Sequence, residues 1–304
     1  MKYAKAIGDN NKLPLTDKRY NEVINSFDKL HELYNFEVKF DFVAENYFEL
    51  QKCLLENSLS NSLFHNNFKI NDFFRIDRKI NRKMFNFLSV AKLYVDQIAG
   101  CVKHLYPEEF ENVKKDIESF KTNDFANKFM IALRNHMQHY SVSTNLSSGF
   151  NDKTNKDRSE RFLFFYETLI LEAQSFMADS KNKKDFSNEI EIDSKIEVLD
   201  ILKDYFENLY KKHDEIRELL KSKKEEWINC INNVYSEYMQ TFNFKFELEQ
   251  DLLELHDEDK RIVVTTNTIK FLNELEHKNL HFDNTAIRVA CNMSKRQLDM
   301  LKKM

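Results

Sequence analysis

Six consecutive residues, Arg134-Asn135-His136-Met137-Gln138-His139, bring a permanent cation, two amides and two imidazoles onto one short stretch of chain. Arg134 and His139 are five positions apart, so on an ideal helix their side chains diverge by about 140°. Arg134 has reach, and His139 falls in the last predicted turn, where a helix can loosen. Asn135 and His139 are spaced i, i+4 on one face, where an amide can hold one imidazole nitrogen and so fix which nitrogen meets a substrate. The negative end of the helix dipole favours an imidazolium at His139. A phosphodiester suits this set: the guanidinium can neutralise the phosphorane oxygens while the imidazole moves a proton. RNA brings its own nucleophile, the 2′-OH, so such a site would need neither metal nor cofactor. Its products would carry 2′,3′-cyclic phosphate and 5′-OH ends, and DNA would not be cleaved by this route.

A second feature bears on the same chemistry. Arg75, Arg78, Lys79, Arg82 and Lys83 recur at helical spacing and form one basic stripe, opposite an apolar stripe that includes Ile76, Ile80 and Met84. Cations on one face attract RNA phosphates. A solvated helix face is the commoner outcome for a charge run, and Asp72 and Asp77 lie close enough to offset part of this one. The formal net charge of −4 means that any nucleic-acid contact must be local.

Other chemistries find less support. His213 lies within an apolar stripe and reads as a core residue. His277 and His281 are i, i+4, but no HExxH surrounds them, so no zinc site is expected. No Walker A, GxGxxG, GxSxG or paired-carboxylate motif occurs. Cys53, Cys101, Cys230 and Cys291 form no C-x-x-C pair, which fits free thiols in a reducing compartment. The N-terminus has no apolar leader and no run spans a membrane, so a cytoplasmic location is expected.

The elements that must position these residues follow from composition. With 3 Gly and 2 Pro in 304 residues, tight turns are scarce and long helices are the natural reading: an all-α chain. Thr16 or Asp17 caps a first predicted helix to about Tyr34, and a second covers Val38–Asn57. Residues 58–71 are polar and read as a connection. A long helix over Asp72–Tyr106 buries Ile76, Ile80, Met84, Phe87, Leu88, Ala91, Val95 and Ile98. Pro107 ends it and starts the next, to Phe120. Asn123 or Asp124 caps the helix over about 124–140 that carries the six residues, with Ala126, Phe129, Met130, Leu133, Met137 and Tyr140 inward. The Ser/Asn/Asp-rich stretch 141–161 and the aromatic run 162–171 predict a small β-hairpin excursion. Residues 194–240 predict one 45-residue helix, or two, packed as a helical hairpin or coiled-coil arm. Short helices follow from Thr266, with a capping box at Ser294/Gln297. The chain thus divides into a helical domain over 1–180 and a helical C-terminal region over 185–304.

The string ALRNHMQHYS resembles the R-N-x-x-x-H signature of the HEPN superfamily of α-helical ribonucleases, in residue type at Arg134, Asn135 and His139 and in its place near the end of an amphipathic helix. The likeness covers these six residues and, as a helical bundle, about 15–180. It implies a metal-independent endoribonuclease, a toxin or anti-phage, abortive-infection effector. Arg134 would bind the scissile phosphate, His139 would transfer a proton and Asn135 would orient them. It also implies a homodimer with a composite active site, which would relieve the divergence of Arg134 and His139 on a single helix. Substrate would be RNA, with tRNA among the candidates, and an antitoxin or phage-derived trigger would be further partners. Tyr140 follows His139 directly, unlike the H-x-Y of HEPN toxins controlled by tyrosine modification, so that control is not expected. The competing reading is a helical nucleic-acid- or partner-binding module with a degenerate site.

Overall fold

The computed structural model describes residues 1–64, 70–139, 144–154, 161–246, 252–258 and 260–282. The chain is predominantly helical with small antiparallel sheets. In order, the elements are β1 (Tyr3–Ala6), β2 (Leu13–Pro14), α1 (Asp17–Phe64), α2 (Ile70–Leu105), a 3-10 turn at Pro107–Glu109, α3 (Phe110–Asn123) and α4 (Phe125–His139). They continue as β3 (Thr144–Thr154), β4 (Arg161–Glu172), α5 (Ala173–Met177), α6 (Ser180–Phe186), β5 (Lys195–Glu197), α7 (Val198–Phe242), β6 (Leu252–Asp257), β7 (Lys260–Thr265) and α8 (Asn267–Lys278). Among the described residues no helix is long and apolar enough to cross a membrane.

Several boundaries differ from the sequence reading. The two helices expected over 17–57 are one helix of 48 residues, and the connection expected over 58–71 shrinks because helix occupies its two ends. The expected hairpin forms as β3–β4, paired from Thr144↔Leu171 to Thr154↔Arg161, and β5 adds a third strand. A second sheet was not anticipated. Its order is β2-β1-β6-β7, and β1 pairs with β6 from Tyr3↔His256 to Ala6↔Leu253. The helix expected from Asp193 or Ser194 starts only at Val198, because residues 195–197 are β5. It is unbroken for 45 residues, and Leu202, Phe206, Leu209, Ile216, Leu220, Trp227, Ile231, Val234 and Tyr238 are buried in the unit to which each belongs, rather than presented by an arm. The capping box at Ser294 lies outside the described residues.

Two compact units are built from interleaved segments rather than from the sequential parts 1–180 and 185–304. One comprises Met1–Asp41, Asp96–Lys115 and His213–His281, and the other Phe42–Val95, Asp116–Lys212 and the chain from Phe282. The β1–β6 ladder is the physical reason for the first grouping, since it joins the beginning of the chain to a strand about 250 residues later.

The first unit buries a charged cluster. Glu37 on α1 is fully buried and accepts from Arg217 Nε at 2.9 Å, Arg217 Nη2 at 2.6 Å and His213 Nε2 at 3.1 Å. His213 stacks on Phe40 and Phe36, with ring centroids 4.0 and 4.7 Å away. Burial opposes a charge on Glu37, but the His213 and Arg217 contacts outweigh it and hold the carboxyl at about 2. Burial also lowers the His213 imidazole, against the pull of Glu37.

In the second unit the α2 stripe is as expected: Ile80, Met84, Phe87, Leu88, Ala91 and Val95 are buried, while Ile76 is half-buried. Phe87, Phe206 and Tyr47 meet there, Tyr47 stacking on Phe206 at 3.9 Å. A second aromatic cluster joins Phe129 of α4 to Phe176 and Phe186, at 5.1 and 6.0 Å. Fully burying an aromatic ring of this kind contributes about 1.5–3 kcal/mol. The second of these clusters holds α4 in place by its apolar face.

Candidate active site

Local interactions fix where α4 begins. Asp124 is the N-cap: its carboxylate accepts from the backbone N–H of Asn127 at 3.1 Å, satisfying one of the orphan donors of the first turn. It also accepts from Asn208 Nδ2 at 2.9 Å. Asn127, buried, accepts from the same Asn208 amide at 3.1 Å and donates to the Phe120 carbonyl at 2.9 Å. One amide on α7 therefore holds the cap and first turn together. Ala126, Phe129, Met130 and Leu133 face inward as expected. Met137 is only half-buried, and Tyr140 lies outside the described residues. His136 is buried instead, edge-on to Phe176 at 5.6 Å, and burial lowers its imidazole against the opposing influence of Asp179.

The three candidate residues occupy the outward side of the last two turns. Arg134 and Asn135 are half-buried and His139 is exposed. Arg134 Nη1 donates to Asn135 Oδ1 at 3.3 Å and to Gln138 Oε1 one turn on, so the guanidinium lies along the helix toward its C-terminal end. Both acceptors are neutral amide oxygens, and no carboxylate among the described residues pairs with Arg134. Arg134 Nε is shut from solvent without an acceptor among the described residues. No hydrogen bond joins Asn135 to His139; Asn135 Oδ1 accepts from Arg134 instead. Gln138 was not singled out from the sequence, although its i+4 spacing from Arg134 is a legible signal.

The basic stripe is more divided than its spacing suggested. Arg75, Arg78, Lys79 and Arg82 are exposed and Lys83 is half-buried. Lys79 meets Glu56 at 3.4 Å and Lys83 meets Glu49 at 2.8 Å, both carboxylates on α1. Asp77, expected to offset the stripe, instead accepts the Leu146 backbone N–H at 2.8 Å. Arg78 folds back along the helix, its Nε donating to the Phe74 carbonyl at 3.2 Å.

Stripe and candidate site are tethered to each other. Asn81, buried between the stripe residues in sequence, donates to the Thr144 carbonyl at 3.0 Å and accepts from the Thr144 hydroxyl. Thr144 is five residues after His139, so covalent geometry keeps their Cα atoms within about 18 Å. Among the described residues no group of three or more His, Cys, Asp or Glu could hold a metal ion.

No protein-family model matches the chain, and neither does any curated protein or solved structure. What the arrangement can do chemically therefore rests on its own residues. It offers an arginine that no carboxylate among the described residues pairs with, an exposed imidazole about one turn beyond it, and three exposed arginines on α2.

Proposed function

We propose that the chain is a metal-independent endoribonuclease of the HEPN type, working as a homodimer on RNA. The observation that carries this reading is the state of Arg134. A guanidinium held, among the described residues, only by amide oxygens keeps its full charge for a phosphate, and it lies along α4 toward the C-terminal end, the end that also carries the exposed His139. In the proposed reaction the 2′-OH oxygen attacks the adjacent phosphorus and the bond to the 5′-oxygen breaks. The 2′-OH proton is lost, and the departing 5′-oxygen gains one. Arg134 would stabilise the phosphorane oxygens, and His139 would carry one of the two proton transfers. Asn135, bonded to Arg134, would steady the guanidinium rather than the imidazole. A second copy would supply the remaining groups of a composite site, because one helix presents only one arginine and one outward histidine. A toxin or anti-phage effector role, with tRNA among the substrates and an antitoxin or phage component as regulator, is the biological setting this chemistry fits.

The test is purified full-length protein on a total RNA or tRNA pool in EDTA. The native chain is expected to cleave, and Arg134→Ala and His139→Ala are expected to lose cleavage. Cleavage that persists unchanged in both variants would overturn the proposal. RNA binding without cleavage in the native chain would favour a binding module with a degenerate site.

A further inference from the structure

We propose that Lys39 and Cys101 form a peroxide-responsive modification site, in which oxidised Cys101 is captured by the Lys39 amine as a reversible sulfur–nitrogen link. The proposal is independent of the ribonuclease reading. Lys39 is half-buried on α1, and its Nζ stands 3.3 Å from Sγ of Cys101 on α2. Both residues belong to the same compact unit. Taking an ammonium partly out of water costs free energy unless a partner offsets it, and a carboxylate is the usual one. Here a sulfur takes that place, since Lys39 has no carboxylate partner among the described residues. Reactive cysteines stand beside cations and keep a path to solvent, whereas those in apolar surroundings are inert. Cys101 has the cation and the path. It is 7% exposed, and its neighbour Gly100 is exposed, with open space where a side chain would stand. A small oxidant such as hydrogen peroxide suits so narrow an opening.

Cys53, Cys101 and Cys230 are all free thiols, and the nucleophile in contact with the Cys101 sulfur is an amine. In the first step that sulfur, having lost its proton, attacks one oxygen of the peroxide. The O–O bond breaks, the sulfur is oxidised by two electrons to a sulfenic acid, and the other oxygen leaves as water. In the second step Lys39, as its neutral amine, attacks the same sulfur. The S–N bond forms, the S–O bond breaks, and the hydroxyl leaves as water with a proton from the nitrogen. Thiol, amine and peroxide together give the link and two waters. Sulfenic acids condense with nitrogen in this way, and the capture forestalls irreversible oxidation to sulfinic acid. Two equivalents of a thiol reductant reverse it, restoring thiol and amine and leaving the reductant as its disulfide. The lysine stem is flexible, so it closes the remaining distance. The two helices are also held by Lys29 of α1, which donates to the His104 carbonyl in the last turn of α2. No amine is bonded to Cys53 or Cys230 among the described residues, and burial pushes the Cys53 thiol up.

The experiment exposes the native full-length chain to a small excess of hydrogen peroxide and digests it with a protease that cuts after Asp and Glu. Cuts after Glu37, Asp41, Asp96 and Glu108 release 38–41 and 97–108 as separate peptides from the reduced chain. After peroxide these are expected as one species in mass spectrometry, lighter than their sum by two hydrogens, with fragmentation placing the bond between Lys39 and Cys101. Dithiothreitol is expected to release both peptides. Lys39→Arg keeps the cation but has no neutral amine to attack with, so the link is expected to be absent and Cys101 to gain two oxygens. Far-ultraviolet circular dichroism checks that this variant is folded, and the native-chain result decides the matter without it. A native chain whose Cys101 stays reduced, or passes straight to sulfinic acid, overturns the proposal. So does a linked species heavier by one oxygen, a link that resists dithiothreitol, or one that forms equally in folded Lys39→Arg.

Discussion

Replacing Glu37 by Leu should destabilise the native chain by about 3–5 kcal/mol, the range for orphaning one partner of a buried ion pair. The magnitude can be worked independently. Holding a carboxyl at about 2 against its ordinary 4.5 corresponds to about 3 kcal/mol in favour of the ionised native form. In Glu37→Leu the Arg217 guanidinium loses both its carboxylate oxygens, and the His213 N–H loses its acceptor. If the cost is the orphaned charge, the double variant Glu37→Leu/Arg217→Met should cost clearly less than the sum of the two single variants, because it removes the charge as well. Urea unfolding at neutral pH, followed by far-ultraviolet circular dichroism, measures all three. A Glu37→Leu cost below about 1 kcal/mol, or strict additivity in the double variant, would refute the reasoning.

Further predictions concern pH and the α4 site. The native imidazole of His213 sits below its ordinary value, so the unfolded chain binds this proton first; stability is therefore full above about 6.5 and falls below it. Glu37, also depressed in the native state, adds a second loss as pH falls from about 4.5 toward 2, and acid titration of Glu37→Gln should lack that later component. Asp124→Ala removes the α4 cap and should cost about 0.5–2 kcal/mol, with hydrogen exchange rising at the amides of the first α4 turn. Arg134→Lys should not restore the cleavage lost in Arg134→Ala, because a lysine cannot bridge two phosphate oxygens in one plane; comparison of initial cleavage rates checks this.

Much of the helical frame could be read from spacing. The α2 apolar stripe, the Asp124 cap, the hairpin after α4 and the core placement of His213 all follow from local periodicity, capping chemistry or β-branched aromatic runs. The failures are non-local. Glu37 looks like a polar interruption between two helices, yet its partners are Arg217 and His213, about 180 residues away, and with them the helix runs through. The β1–β6 ladder has no local signature, because its strands are short and their register is set by partners at opposite ends of the sequence. In the basic stripe Asp77 accepts the Leu146 backbone N–H, the Asp72 side chain lies outside the described residues, and the carboxylates that meet Lys83 and Lys79 are Glu49 and Glu56 on the facing helix. At the candidate site the residue types and their helix were legible. The direction of Arg134 was not, because it depends on how Asn135 and Gln138 compete for one guanidinium.

The central claim, that RNA is cut by its own 2′-OH, has a direct measurement. A labelled RNA is first mapped for its cleavage position, and a matched RNA with a single 2′-deoxy nucleotide on the 5′ side of that bond is then incubated with the native chain in EDTA. The account predicts that cleavage at that bond disappears while other bonds are still cut, and that the products of the unmodified RNA end in 2′,3′-cyclic phosphate and 5′-OH. Continued cleavage across the deoxy position, or products with 5′-phosphate ends, would contradict it.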